Sequence, residues 1–286
     1  MATFKELVFQ YTDNNSRFLV IDHMMVHYRD EGEGTPIVLL HGAFSSLHTF
    51  NDWANTLKKQ YRVIRLDVMG FGLTGPNSSN DYSMKNHVRF LRRFLNILGI
   101  NQCHIGGSSL GGWLAWEYTY KYPNDILKLM LIGAAGFIDK DNMPLPFKLA
   151  QSRLAGRVLK YVVRKSILEQ FVKQVYYDSS KVNPKLVDRY FDLFTREGNG
   201  EAFVHLVNAP YVDNTRFLQK ISQKTLIMWG KEDAWIPSEH AFLFYKQLPN
   251  PYMKIYPKVG HLPMEEIPQE SIQDVVDFLT DQGIYQ

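Results

Sequence analysis

The sequence predicts an α/β protein, with a mainly parallel sheet covered by helices on both faces and interrupted by a helical insert. Three observations carry this. Short continuous apolar runs recur at residues 36–40, 61–66, 126–132, 225–229 and 252–256. Runs of that length without alternation mark strands buried on both faces. Helix-like stretches separate them, and strands that alternate with helices build parallel sheets. From about Asp139 to Asn214 the strand signal stops and helical patterning takes over.

The elements follow in order. Residues 17–21 and 24–29 alternate, as half-exposed antiparallel strands do, and join near Asp22-His23. Glu31-Gly32-Glu33-Gly34 turns into the first buried run, which ends in His41-Gly42-Ala43-Phe44-Ser45-Ser46. Residues 50–60 read as helix. The run 61–66 closes in Asp67-Val68-Met69-Gly70-Phe71-Gly72. Ser83 is placed to cap a helix reaching about Leu98, with Val88, Leu91 and Leu95 on one face. The insert reads as helix over 147–177 and 184–194, with a shorter piece near Phe203, and is entered through Pro144-Leu145-Pro146. An amphipathic helix over 271–280 closes the chain. The expected division is a core of 1–138 and 215–286 and an insert of 139–214. An insert placed there can cover the carboxyl ends of the strands, where open α/β sheets bind ligands.

The chemistry centres on Cys103-His104-Ile105-Gly106-Gly107-Ser108-Ser109-Leu110-Gly111-Gly112. The pattern is strand, sharp turn, helix, and it contains G-x-S-x-G. A nucleophile on such a turn needs small residues two before and two after it, because these approach each other closely. Only Ser109, flanked by Gly107 and Gly111, satisfies that register. Ser108 is its neighbour. A serine hydroxyl needs a base, and the base an orienting carboxylate. Val259-Gly260-His261-Leu262-Pro263 supplies a histidine after a late strand, with Gly260 expected to let the loop turn inward. Trp229 to Pro237 supplies the acid after the preceding strand. Glu232 and Asp233 compete there, and only one can face inward; Asp233 is the choice. Asp67 is a further rival, though its glycine-rich turn reads better as a structural corner.

The serine, acid, histidine order of Ser109, Asp233 and His261, the His41-Gly42 element and the Asp67 to Gly72 turn together resemble a serine-nucleophile α/β-hydrolase with a helical cap, of carboxylesterase or lipase type. The resemblance spans nearly the whole chain outside the insert. It implies an α/β-hydrolase fold with an eight-stranded, mostly parallel sheet. It also implies an oxyanion hole from the backbone N–H groups of Ala43 and Leu110, with Phe44 contributing or lining the pocket. Met143, Phe147, Leu154 and Phe203 are apolar insert positions suited to an apolar acyl group, although many such residues must be core. Trp235 and Leu262, beside the acid and the base, are expected in the pocket wall, and Trp113 and Trp116 in packing. His41 is expected to brace the oxyanion loop. His23 and His27 have no metal-ligand context, and no metal or cofactor is expected.

Composition narrows the class. The 286 residues carry a net charge of only +3, which argues against nucleic acid as a partner. The one cysteine, Cys103, excludes an intramolecular disulfide. The chain shows neither a signal-peptide pattern nor a run long enough to span a membrane, so a cytoplasmic location is expected. The insert carries Lys148, Arg153, Arg157, Lys160, Arg164, Lys165 and Lys173, a basic face that is either a solvated outer surface or a weak lipid contact. A monomer or dimer is expected. The reading is an ester hydrolase for short to medium acyl chains, acting through an acyl-enzyme. The alternatives are a carbon–carbon hydrolase of ring-cleavage diketones, a perhydrolase, and a small-molecule receptor on the same fold. The family's carbon–carbon hydrolases usually carry a glycine-rich oxyanion segment and an aromatic residue after the base, where this chain has Ala43-Phe44 and Leu262.

Overall fold

A computed structural model describes residues 2–138, 143–152 and 164–282. Eight strands form one sheet: β1 (Ser16–Ile21), β2 (Met24–Glu31), β3 (Pro36–Leu40), β4 (Arg62–Leu66), β5 (Cys103–Ser108), β6 (Ile126–Ile132), β7 (Lys224–Gly230) and β8 (Pro251–Tyr256). Their order is β1-β2-β4-β3-β5-β6-β7-β8. β1 with β2 and β2 with β4 are antiparallel, and all other pairs are parallel. Asp22 and His23 both have positive φ, 50° and 66°, as a two-residue hairpin turn that follows strand twist requires.

Successive strand residues face opposite sides, so each buried strand feeds two cores. Val38 and Leu40 pack with Leu91, Phe94, Leu114 and Trp116 on one face. Ile37 and Leu39 pack with Trp53, Leu226 and Phe278 on the other. Helices α2 (Asn51–Leu57), α3 (Met84–Ile97) and α4 (Leu110–Lys121) supply the first crossovers. The Ser83 hydroxyl accepts from the Asn86 N–H at the start of α3, and Val88, Leu91 and Leu95 are buried along it.

Several elements depart from the sequence expectation. Helix α1 (Phe4–Tyr11) was unforeseen. Its signal is the Thr3/Glu6 capping box, but eight residues are too few for a clear period. The stretch 147–177 is not one helix. α5 (Leu145–Gln151) ends at Ser152 in extended backbone, and α6 (Lys165–Gln174) begins after Arg164. Arg153, Leu154, Arg157 and Lys160 lie outside the described residues. Helices α7 (Pro184–Phe194) and α8 (Asn199–Val207) follow, and no strand lies among the described residues between β6 and β7. Helix α9 (Glu239–Gln247) was also unread, because its exposed Phe242, Leu243 and Tyr245 blur the apolar stripe. The chain ends in α10 (Pro263–Glu266) and α11 (Pro268–Leu279), which starts three residues before the predicted 271 because Pro268 opens its first turn.

On the insert, Lys165 pairs with Asp188, and Lys173 with Glu169 at 2.7 Å. Two of the charges in the basic face are therefore locally compensated. No helix among the described residues is long and apolar enough to cross a membrane.

Candidate active site

The segments singled out by sequence converge at the carboxyl ends of parallel strands. Ser109 follows β5 and precedes α4, with φ 53° and ψ −116°. Such a conformation costs on the order of 1–3 kcal/mol unless its surroundings impose it. Here the Ser109 N–H donates to the Ile132 carbonyl, and its own carbonyl accepts from Trp113 and Ala135, each at 3.0 Å. The flanking glycines are required by space. A Cβ on Gly107 would fall 2.1 Å from the Gly111 carbonyl oxygen, and one on Gly111 2.1 Å from that of Leu40. Ser108 is fully buried, whereas Ser109 lines a cavity.

His261 Nδ1 lies 2.7 Å from Asp233 Oδ2. The other Asp233 oxygen accepts from the N–H groups of Trp235 and Ile236 at 2.8 and 2.9 Å, which fixes the carboxylate. A carboxylate on Nδ1 keeps the proton there and leaves the lone pair on Nε2. That Nε2 is buried and has no hydrogen-bond partner among the described residues. Glu232 is exposed and accepts from the Val259 N–H, away from the ring.

Asp67 is occupied elsewhere. Its carboxylate is 2.8 Å from His27 Nδ1 and accepts from the Leu47 and Leu73 N–H groups, each at 2.7 Å. A Cβ on Gly72 would fall 2.2 Å from its Cγ. Burial works against its charge, but the contact with His27 leads the effects that outweigh it and hold its carboxyl well below the usual range. His27, which shows no role in the sequence, is thus the partner of this corner. His41 braces the adjacent loop: its Nδ1 is 2.7 Å from the Gly42 carbonyl, and its Nε2 accepts from the Val68 N–H at 2.9 Å. Burial lowers its pKa, so the ring stays neutral.

The braced loop runs against the serine, since a Cβ on Gly42 would lie 3.0 Å from Ser109 Cβ. Leu110 is the first residue of α4, so its N–H lacks an intrahelical acceptor and sits at the positive end of the helix dipole.

Ser109 sits between two cavities. The smaller, about 30 Å³, is lined by Phe44, Leu168, Val172, Tyr190, His261 and Leu262. The larger, about 200 Å³, is lined by Leu110, Trp113, Met143, Phe147, Tyr211 and His240. Ala43 and Trp235 border both. Trp116 packs as expected, its Nε1 donating to the Ala135 carbonyl at 3.0 Å, but Trp113 is a wall residue edge-on to Tyr211. Phe203 is core: it is fully buried against Phe44 with ring centroids 4.3 Å apart. Sequence reading missed Leu168, Val172 and Tyr190, which reach the site only through long-range packing of the insert.

Gly260 also differs from expectation. Its φ is not positive, so the turn does not require a glycine. A Cβ there would fall 2.5 Å from the Val175 carbonyl oxygen of the insert, and the neighbouring His261 N–H donates to that same oxygen at 2.7 Å. Close approach of insert backbone is the reason for the glycine.

Residues 35–268 match the family model for the alpha/beta hydrolase fold. Among curated proteins, the 2-hydroxy-6-oxononadienedioate/2-hydroxy-6-oxononatrienedioate hydrolase of Paraburkholderia phymatum is 28% identical, over 90% of this chain and 91% of the relative. The 2-hydroxy-6-oxo-6-(2'-aminophenyl)hexa-2,4-dienoic acid hydrolase of Metapseudomonas resinovorans is 24% identical, over 92% and 90%. Among solved structures, a candidate lipase of Acinetobacter baumannii AYE superposes with TM-score 0.80 at 25% identity, covering 99% of this chain and 97% of that one. A meta-cleavage product hydrolase of Pseudomonas fluorescens IP01 gives TM-score 0.81 at 22% identity, covering 93% and 98%. With the family model covering most of its length, the chain belongs to the α/β-hydrolase fold family.

Proposed function

We propose that the protein is a serine hydrolase that cleaves neutral, apolar carboxylic esters through an acyl-enzyme. Ser109 is the nucleophile. His261 Nε2 takes its proton, and Asp233 holds the imidazole tautomer and the imidazolium that forms. The N–H groups of Ala43 and Leu110 receive the charge that develops on the carbonyl oxygen. His261 then returns the proton to the leaving alcohol. Water enters by the same base and releases the acid.

The observation that carries the ester reading is the wall of the larger cavity. It is apolar and aromatic, with Tyr82, Tyr211 and His240 the polar exceptions beside Ser109. A neutral acyl or alcohol group gains from such a wall, whereas a carboxylate placed there loses its water. The A. baumannii candidate lipase supports this reading.

The second reading is a carbon–carbon hydrolase of ring-cleavage diketones, and the relatives favour it over the ester reading. Several curated relatives act on 2-hydroxy-6-oxo dienoates. Those substrates carry a carboxylate, for which neither cavity offers an Arg or Lys among the described lining residues. The deciding experiment compares kcat/KM for a series of p-nitrophenyl esters with that for a 2-hydroxy-6-oxo-dienoate. A dienoate preferred over every ester would overturn the ester assignment. Many turnovers per protein on either substrate separate an enzyme from a receptor.

A further inference from the structure

The insert is bonded to the loop that carries His261, and one buried side chain holds backbone groups of both. Glu266 is 3% exposed. Its Oε2 accepts from the Gly260 N–H at 2.8 Å and from the Tyr177 N–H at 3.2 Å. Its Oε1 accepts from the Asp178 N–H at 2.8 Å. One carboxylate therefore gathers three backbone donors, one from the residue before His261 and two from the insert segment after α6. The carbonyl of Val175 in that segment accepts from the His261 N–H itself at 2.7 Å. Lys181 donates to the Glu266 carbonyl at 2.8 Å.

We propose that Glu266 is a positioning residue for His261, clamping the base loop to the Val175–Asp178 backbone of the insert so that the imidazole is set only when that segment is docked. This rests on the reading of His261 as the base. The physical reason is that no helix or strand holds residues 257–262. Side-chain contact with Asp233 fixes the ring's tautomer. Where the ring stands relative to Ser109 depends on the backbone at 260 and 261, and those two N–H groups bond to Glu266 and Val175. A misplacement of about 1 Å in a reacting group costs on the order of 100-fold in rate. Glutamine at 266 keeps one acceptor oxygen for Gly260 and Tyr177 but turns an NH2 toward the Asp178 N–H, so it weakens the clamp from the insert side alone.

The test uses the full-length wild type, Glu266→Gln, Glu266→Ala and Gly260→Ala. Gly260→Ala leaves the Glu266 side chain in place but forces the insert backbone off the loop, at the Val175 carbonyl and at the Tyr177 N–H. Melting curves establish which variants are folded. Steady-state kinetics with p-nitrophenyl butyrate and the rate of covalent labelling by an alkyl fluorophosphonate are then measured. The expected result is a fall in kcat of about 10-fold for Glu266→Gln and about 100-fold for the other two, with KM within about 3-fold of wild type and labelling slowed in parallel. Should Glu266→Ala fail to fold, the glutamine and Gly260→Ala variants decide the matter. Folded variants with unchanged kcat and a raised KM would overturn the proposal and leave Glu266 a support of the pocket roof. Wild-type protein that does not label at Ser109 would instead sink the proposed function, and this inference with it.

Discussion

His261 Nδ1 stands 2.7 Å from Asp233 Oδ2, while the other Asp233 oxygen is held by two backbone N–H groups. The carboxylate cannot rotate away, so the proton on Nδ1 is fixed. Asp233→Asn offers an NH2 where an acceptor is needed and favours the wrong tautomer. The expected outcome is a loss of about 10⁴-fold in kcat with a small change in KM, measured on an aryl ester. Glu232→Gln and Asp67→Asn should not reproduce that pattern. Asp67→Asn should instead lower stability, because its single oxygen cannot serve both the Leu47 N–H and the His27–Leu73 side, and its NH2 faces a donor at the other.

Ser109→Ala should remove turnover by about a million-fold and abolish fluorophosphonate labelling. Ser108→Ala should label at nearly the wild-type rate, since that side chain is fully buried. Mass spectrometry of the labelled peptide checks both. A label on Ser108 would reverse the register.

Phe147 is shared between the aromatic cluster and the larger cavity, with its ring 5.8 Å from Phe44 and 5.9 Å from Trp235. Phe147→Ala should shift acyl-chain preference toward longer esters by about 10-fold in relative kcat/KM, the scale that a few methylenes command. Met143→Ala should act in the same direction. A uniform loss across the chain-length series would mean that these side chains carry more than shape.

Gly111→Ala should prevent folding. The added carbon would fall 2.1 Å from the Leu40 carbonyl oxygen, and strand backbone cannot retreat. Gly99→Ala is the control. Its φ is +67°, but nothing lies within 4 Å, so only backbone strain of about 1 kcal/mol is expected. Denaturant midpoints and soluble yield separate the two.

Acid should destabilise the protein below about pH 6.5. His104 is pushed down to about 4 and His48 to about 3, both chiefly by burial. Their folded pKa values lie below the unfolded value, so between the two the unfolded chain binds more protons and stability falls as pH falls. At about 1.4 kcal/mol per pH unit, His104 alone would cost about 3 kcal/mol by pH 4. His104→Leu removes that contribution, so its unfolding midpoint should decline less steeply than that of wild type between pH 6.5 and 4. Parallel slopes would contradict the assignment.

Much of the fold was legible because its signals are local. A strand buried on both faces must be apolar throughout, and β3 and β6 were readable to the residue. A serine held at positive φ between a strand and a helix demands glycines at fixed offsets, and Gly107 and Gly111 marked Ser109 for that reason. A Thr3/Glu6 capping box was equally local, yet α1 went unread because one short turn signal does not outweigh a missing period.

What tertiary structure alone decided are relations between residues far apart in the chain. The sequence by itself determined where the buried strands fall along the chain and the residue types at their ends, since both follow from spacing and steric need. It could not assign Asp67 to His27, because that bond joins β2 to the turn after β4 across 40 positions. Nor could it give Trp113, Leu168 and Tyr190 a place at the cavities, because an apolar residue reads the same in a core and in a pocket wall. Gly260 is the clearest instance. Its sequence context suggests a turn, while the folded chain needs it because the Val175 carbonyl lies where a Cβ would be. Local signals record the conformation a residue must adopt; only packing determines which distant backbone arrives beside it.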